Sequence, residues 1–187
     1  MTESSFSHVA LLVSSVEASA NFLNTQQIET GEPESFESEG TKEIYVGSYN
    51  THRGLLLLLE AISEGPYKRA FMKRGPSLHH IAIDVLNIES FIVKAQGAGW
   101  KLHPISAKSI LNKTAWLFLE GIATLIEVNQ KNELSEKATR VSKVELPIRI
   151  EDMPLFEEIG LGSLVMRSHE LALSIDEQRL TFAQIGC

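Results

Sequence analysis

Hydrophobic and polar positions change period several times along the chain, and the changes come twice. His8-Val9-Ala10-Leu11-Leu12-Val13-Ser14-Ser15-Val16-Glu17 recurs as His80-Ile81-Ala82-Ile83-Asp84-Val85-Leu86-Asn87-Ile88-Glu89, at a gapless offset of 72 residues. Each copy opens as an apolar, partly β-branched strand and runs straight into a helical pattern. In the first, Ser14 and Glu17 have the Ser-x-x-Glu spacing of a capping box. In the second, Asn87 is a cap, and Ile88, Phe91, Ile92 and Ala95 fall on one helical face before Gly97 and Gly99 end it. Strands are then predicted over 42–46 and 55–60 in the first half, and over 101–103, 114–119 and 123–128 in the second.

The chain therefore divides into two strand–helix–strand–strand–strand (βαβββ) modules, residues 6–63 and 77–130. A short linker helix at 64–76 lies between them, with Pro66 near its start and Gly75 just past its end. Residues 131–140 read as a polar connector. Beyond it, 144–150 and 170–175 alternate like strands, and Asp176-Glu177 turns a hairpin into 179–185. Residues 131–187 are thus an appended β-rich segment whose sequence carries no chemistry. Its apolar strands need a surface to bury against, yet it is expected to be separable from any site in the modules. The fold class is α+β.

Composition narrows the partners. The chain has 187 residues, 43% hydrophobic and 22% charged, enough for an ordinary core. A net charge of −7 disfavours a nucleic-acid backbone binder. The longest apolar run, Gly54 to Leu59, stops far short of the roughly 20 residues that cross a bilayer. Met1 to Ser5 shows no basic n-region, so no secretory signal is expected, and the placement expected is cytoplasmic. A single cysteine, Cys187, excludes an internal disulfide and any Cys-cluster metal site and is expected to be inert.

The repeat, with Ser7-His8-Val9-Ala10, Leu58-Leu59-Glu60, Gly75-Pro76-Ser77-Leu78-His79-His80-Ile81-Ala82 and Leu125-Ile126-Glu127-Val128, resembles the vicinal oxygen chelate superfamily. That superfamily includes glyoxalase I, extradiol dioxygenases and methylmalonyl-CoA epimerase; the epimerase-like branch is the nearest match, over about residues 6 to 130. The resemblance implies that the two modules curve one shared sheet around a cleft. It implies His8, His80 and Glu127 as ligands of a divalent metal ion (Co, Ni, Zn, Mn or Fe). It also implies Glu43 as the catalytic acid/base on a small acyl thioester or 2-oxo substrate, an acyl-CoA among the candidates. The fourth ligand position of the family falls on Leu57, which cannot donate to a metal. Glu60, three residues on, belongs to the other face of a regular strand. The 107–112 loop lacks the glycines usual in the epimerases.

Three function classes remain open: an isomerase or lyase working through an enolate, a non-haem Fe(II) extradiol-type dioxygenase with a 2-His-1-carboxylate triad, and a non-catalytic small-molecule binder whose metal site is degenerate or empty. A homodimer is expected. Several residues have plainer readings. A lone strand-start His is more often a satisfied surface or core residue, and strand alternation sends His79 to the face opposite His80, for packing or hydrogen bonding. Glu43 follows an acidic run, Glu29 to Glu39, that reads as a solvated loop. Lys68, Lys73 and Arg74 could meet a CoA phosphate or simply form a charged helix face. Trp100 and Trp116 read as core or cleft wall.

Overall fold

A computed structural model describes residues 4–186; what the sequence leads one to expect of Met1, Thr2, Glu3 and Cys187 lies outside them. The first half runs β1 (Ser4–Leu12), α1 (Val16–Thr25), β2 (Glu34–Phe36), β3 (Thr41–Val46), β4 (His52–Arg53) and β5 (Leu55–Ala61), and α2 (Pro66–Arg74) links it to the second. There follow β6 (Ser77–Val85), α3 (Ile88–Gly97), β7 (Lys101–Leu102), α4 (Ser106–Ser109), β8 (Thr114–Phe118) and β9 (Leu125–Gln130). The remainder comprises β10 (Ala138–Thr139), β11 (Val141–Leu146), α5 (Met153–Glu158), β12 (Val165–Arg167), β13 (Ala172–Ile175), β14 (Gln178–Thr181) and α6 (Phe182–Ile185).

Eight strands join in one open sheet, ordered β2-β3-β5-β1-β6-β9-β8-β7. The halves mirror each other about the antiparallel β1–β6 seam, where Val9 pairs with Ile81, its own repeat equivalent. The seam carries two β-bulges: Phe6 pairs with Ile83 and His8 with Ala82, leaving Ser7 over; His80 pairs with Ala10 and Leu78 with Leu11, leaving His79 over. Each bulge resets the alternation. Phe6 and Leu78 pack with the core, whereas His8 and His80, two residues on, turn to the cleft.

One face of the sheet meets α1 and α3 in the main core, built on Val9, Leu11, Ile81, Ile83, Leu56 and Val128. The helix starts repeat as well. Asn87 Oδ1 accepts from the Ser90 amide at 2.9 Å, and Ser15 Oγ from the Ala18 amide at 3.3 Å. The cap of α1 is thus Ser15 rather than Ser14, because Ser15 has the extended backbone of a cap. On the other face a smaller cluster, Ala10, Leu12, Leu57 and Leu59 with Tyr45 and Tyr67, packs beneath α2, and its Leu57, Leu59, Tyr45 and Tyr67 line the cleft.

The C-terminal segment is packed into the same core: Val141, Val144, Phe156, Leu173 and Ile185 belong to it. Trp100 is buried against Phe156, ring centroids 5.3 Å apart, and its Nε1 donates to the Leu155 carbonyl at 2.9 Å. Its strands form a second sheet, β12-β11-β13-β14. The hairpin turns at Asp176-Glu177, both at positive φ, as a two-residue turn with the right twist requires. Four details differ from expectation. The strand ends at Leu146, before Pro147. Residues 182–185 are helical because Thr181 and Gln184 form a capping box. Helices α4 and α5 and strands β4, β10 and β12 lie where no element was predicted. Within the acidic run, Glu34–Phe36 is an edge strand on β3, and its exposed Glu34 guards that edge.

Candidate functional site

The two bulges deliver the imidazoles of His8 and His80 to one point. Their Nε2 atoms are 3.1 Å apart, and Glu127 Oε2 lies 3.6 Å from the first and 3.3 Å from the second. Ligand atoms around one ion with bonds of roughly 2.0–2.2 Å sit about 3 to 3.5 Å apart, so this spacing suits a shared cation. The donor set suits one too: two neutral nitrogens and a carboxylate oxygen, borderline-soft and hard together. The three residues could hold a metal ion.

Electrostatics agree. Burial, then the neighbouring His80, pushes His8 down to about 3, which leaves its lone pair free at neutral pH. Burial opposes ionisation of Glu127, but its hydrogen bond to His80 and the nearby imidazoles hold it down to about 2. Each histidine is also gripped at its far nitrogen. His8 Nδ1 lies 3.0 Å from Tyr49 Oη and 3.4 Å from Ser7 Oγ. His80 Nδ1 lies 2.9 Å from His79 Nδ1.

Register shows which residues correspond across the seam. Ala10 pairs with Leu57 as Ala82 pairs with Glu127. Leu57 then faces Tyr45 as Glu127 faces Trp116, and one step out along these strands Glu43 corresponds to Thr114. Glu43, Tyr45, Leu57, Thr114, Trp116 and Glu127 all line a cleft of about 440 Å³. Leu57, 4% exposed, is therefore an apolar wall where Glu127 has a donor. Glu60 is engaged elsewhere, accepting the Val16 amide at the start of α1 at 3.0 Å. Glu43 lies in the cleft, buried, with Oε1 accepting from Thr41 Oγ1 at 2.7 Å. Burial pushes its carboxyl above the usual range, with the Thr41 bond working against that.

The expected His8, His80, Glu127 and Glu43 thus share one cleft. His79 departs from its expected orientation. The bulge brings it beside His80, and its ring lies 4.8 Å from Tyr67, in a hollow of about 530 Å³ that adjoins the cleft through Glu39, Tyr67 and Trp116. Arg74 lines that hollow and donates to the Ala123 carbonyl. Trp116 is cleft wall, its ring 5.1 Å from His80, while Trp100 is core. Tyr45 lies on β3 two residues from Glu43 and so shares its face, whereas Tyr49, which reaches His8 from the loop between β3 and β4, had no sequence signal beyond being aromatic.

No protein-family model and no curated sequence matches the chain. Solved structures do. A hypothetical protein from Bacillus halodurans is 25% identical, with a TM-score of 0.55 over 72% of this chain and 99% of its own. Methylmalonyl-CoA epimerase from Mycobacterium tuberculosis is 17% identical, with a TM-score of 0.50 over 67% of this chain and 86% of its own. A Streptomyces coelicolor methylmalonyl-CoA epimerase variant in complex with 2-nitronate-propionyl-CoA is 17% identical, with a TM-score of 0.50 over 66% and 96%. The chain shares the fold of these structures, methylmalonyl-CoA epimerases among them. Among the described residues no helix is long and apolar enough to cross a membrane.

Proposed function

We propose that this chain is a metal-dependent isomerase or lyase of the glyoxalase/epimerase type, acting through an enolate of a small acyl thioester or 2-oxo compound. The observation that carries the reading is the convergence of His8 Nε2, His80 Nε2 and Glu127 Oε2 within 4.8 Å of one another, in the cleft that Glu43 lines. A divalent cation held there supplies Lewis-acid polarisation of a substrate carbonyl. Glu43 takes the proton from the adjacent carbon, and a proton delivered to the other face of the enolate, or by Glu43 to the neighbouring carbon, completes the isomerisation. A carboxyl raised by burial is the stronger base for that task once ionised. Tyr45, Leu57 and Leu59 keep water from the apolar side. The small-molecule substrate includes acyl-CoA compounds in its range, and the chain works as a homodimer.

Glu43→Gln keeps the shape and cannot accept a proton. Deuterium wash-in from solvent at the substrate α-carbon should fall by a factor of about 10² to 10⁴ while metal content is unchanged. Exchange at the wild-type rate would remove Glu43 from the reaction.

Leu57 favours a second reading. Two histidines and one carboxylate with open positions are the donor set of non-haem Fe(II) oxygenases. Oxygen consumption by the Fe(II)-loaded protein with a catechol, and none of the wash-in, would select it.

A further inference from the structure

The two candidate ligand histidines are supported differently. His80 is held by the residue beside it on its own strand, whereas Tyr49, the nearer partner of His8 Nδ1, comes from the loop between β3 and β4. That loop is tied down by the C-terminal segment. Strand β10 pairs in parallel with β4, Ala138 against His52 and Thr139 against Arg53. Lys137 Nζ donates to the Tyr49 carbonyl. Arg53 Nε donates to the Lys137 carbonyl at 2.9 Å, and the amides of Arg140 and Val141 donate to the carbonyls of Arg53 and Gly54 at 3.0 and 2.7 Å.

The approach is too close for side chains at two glycines. A Cβ on Gly47 (φ +100°) would come within 3.0 Å of the Arg140 side chain, and one on Gly54 (φ +60°) within 2.4 Å of Thr139 Cγ2. Arg140 in turn donates through Nε and Nη2 to Asp176 Oδ2, at 3.0 and 2.8 Å, at the tip of the C-terminal hairpin. An unbroken path leads from that hairpin through Arg140 to the loop, and through Tyr49 to His8.

We propose that residues 137–141 are a strap by which the C-terminal segment orients His8, with Tyr49 as the positioning residue. In this arrangement His8 Nδ1–H donates to Tyr49 Oη, which fixes the ring and leaves the Nε2 lone pair facing the cleft. The strap holds Tyr49 at that distance. Its bearing on function rests on His8 being a metal ligand; its bearing on the ring does not.

The test uses the full chain, first stripped of metal. Long-range ¹H–¹⁵N spectra of the histidines report the His8 tautomer directly. Tyr49→Phe should shift the His8 Nδ1 resonance and mix the tautomers, and Arg140→Ala and Lys137→Ala should each do so in part. Neither should add a shift in the Tyr49→Phe background. Titration with Co²⁺ should then show about 10- to 100-fold weaker binding in Tyr49→Phe. Arg140→Ala should weaken it in the wild-type background and not in Tyr49→Phe. An unchanged His8 spectrum in Tyr49→Phe overturns the proposal whatever Co²⁺ does. Losses that simply multiply in the double variant overturn the strap, since they would mark independent structural damage. A His8 spectrum that responds as expected in a protein that binds no Co²⁺ upholds the strap and removes the metal reading instead.

Discussion

His79 stands to His80 as Ser7 stands to His8. Each is the extra residue of a β-bulge on its strand, each precedes a cleft histidine, and each hydrogen-bonds that histidine at Nδ1. The repeat has thus preserved the backbone device while changing the side chain that uses it. In the first half the small hydroxyl, 3.4 Å away, shares the task with Tyr49; in the second, the second imidazole does it alone.

This inequality is measurable. His79→Ala should weaken binding of Zn²⁺ or Co²⁺ by about 10- to 100-fold, as loss of an outer partner of a ligating histidine does. Ser7→Ala should cost less than about tenfold, because Tyr49 remains. Calorimetric titration of both variants checks it, and equal losses would contradict the assignment.

Leu57 occupies the register position that Glu127 holds in the other half. Leu57→Glu should therefore tighten divalent-cation binding by about tenfold, roughly 1.4 kcal/mol, and His80→Ala in the same background should remove the gain. Without metal the new carboxylate is buried and unpaired, so the melting temperature should drop and recover on adding metal. Lower stability with no metal-dependent recovery would mean that residue 57 does not reach the cation.

Phe156 comes from the C-terminal segment yet is fully buried in the main core, edge-on to Trp100. Phe156→Ala should destabilise the whole chain by about 3–5 kcal/mol, in a single urea transition. A separate early transition of the segment alone would show that it folds apart from the modules.

Acid should destabilise the metal-free protein well before ordinary surface carboxylates titrate. His8 and His79 are both pushed down to about 3, by burial first and then by His80. The unfolded chain therefore binds more protons than the folded one between about pH 6.5 and 3, and stability falls as pH falls through that window. The steepest slope is about 1.4 kcal/mol per pH unit for each imidazole. Glu127, held down to about 2, adds loss of the same sign below its ordinary value of 4.5. The raised Glu43 contributes with the opposite sign, favouring the folded state at lower pH. Urea unfolding at pH 7, 6 and 5 checks the balance; constant stability would place these imidazoles in water.

Much of this was legible in the sequence because the repeat is gapless where it matters. The spacing from His8 to Ser15 equals that from His80 to Asn87, so the histidines and the Asn87 cap could be read together, while the first cap was placed one residue early, at Ser14. The bulges were not legible. An extra residue changes no composition, only the pairing, and it turns the reading of His79 from one face to the other. Helix α5 was hidden by its shortness. The support of His8 by Tyr49 was hidden by distance along the chain, since the two residues are 41 apart and no local pattern joins a strand to the loop beside β4.

Glu43 and Thr114 hold equivalent places on opposite walls of the cleft, and only one of them can accept a proton at ordinary pH. The near-symmetric cradle formed by His8 and His80 is therefore set between unlike walls, which makes the cleft handed. A flat carbon acid lying across the seam meets a base on one of its two faces and a hydroxyl on the other. Glu43 can work on only one of those faces, so inversion of the carbon, which an epimerase must carry out on both mirror-image forms, requires a proton delivered from the Thr114 side.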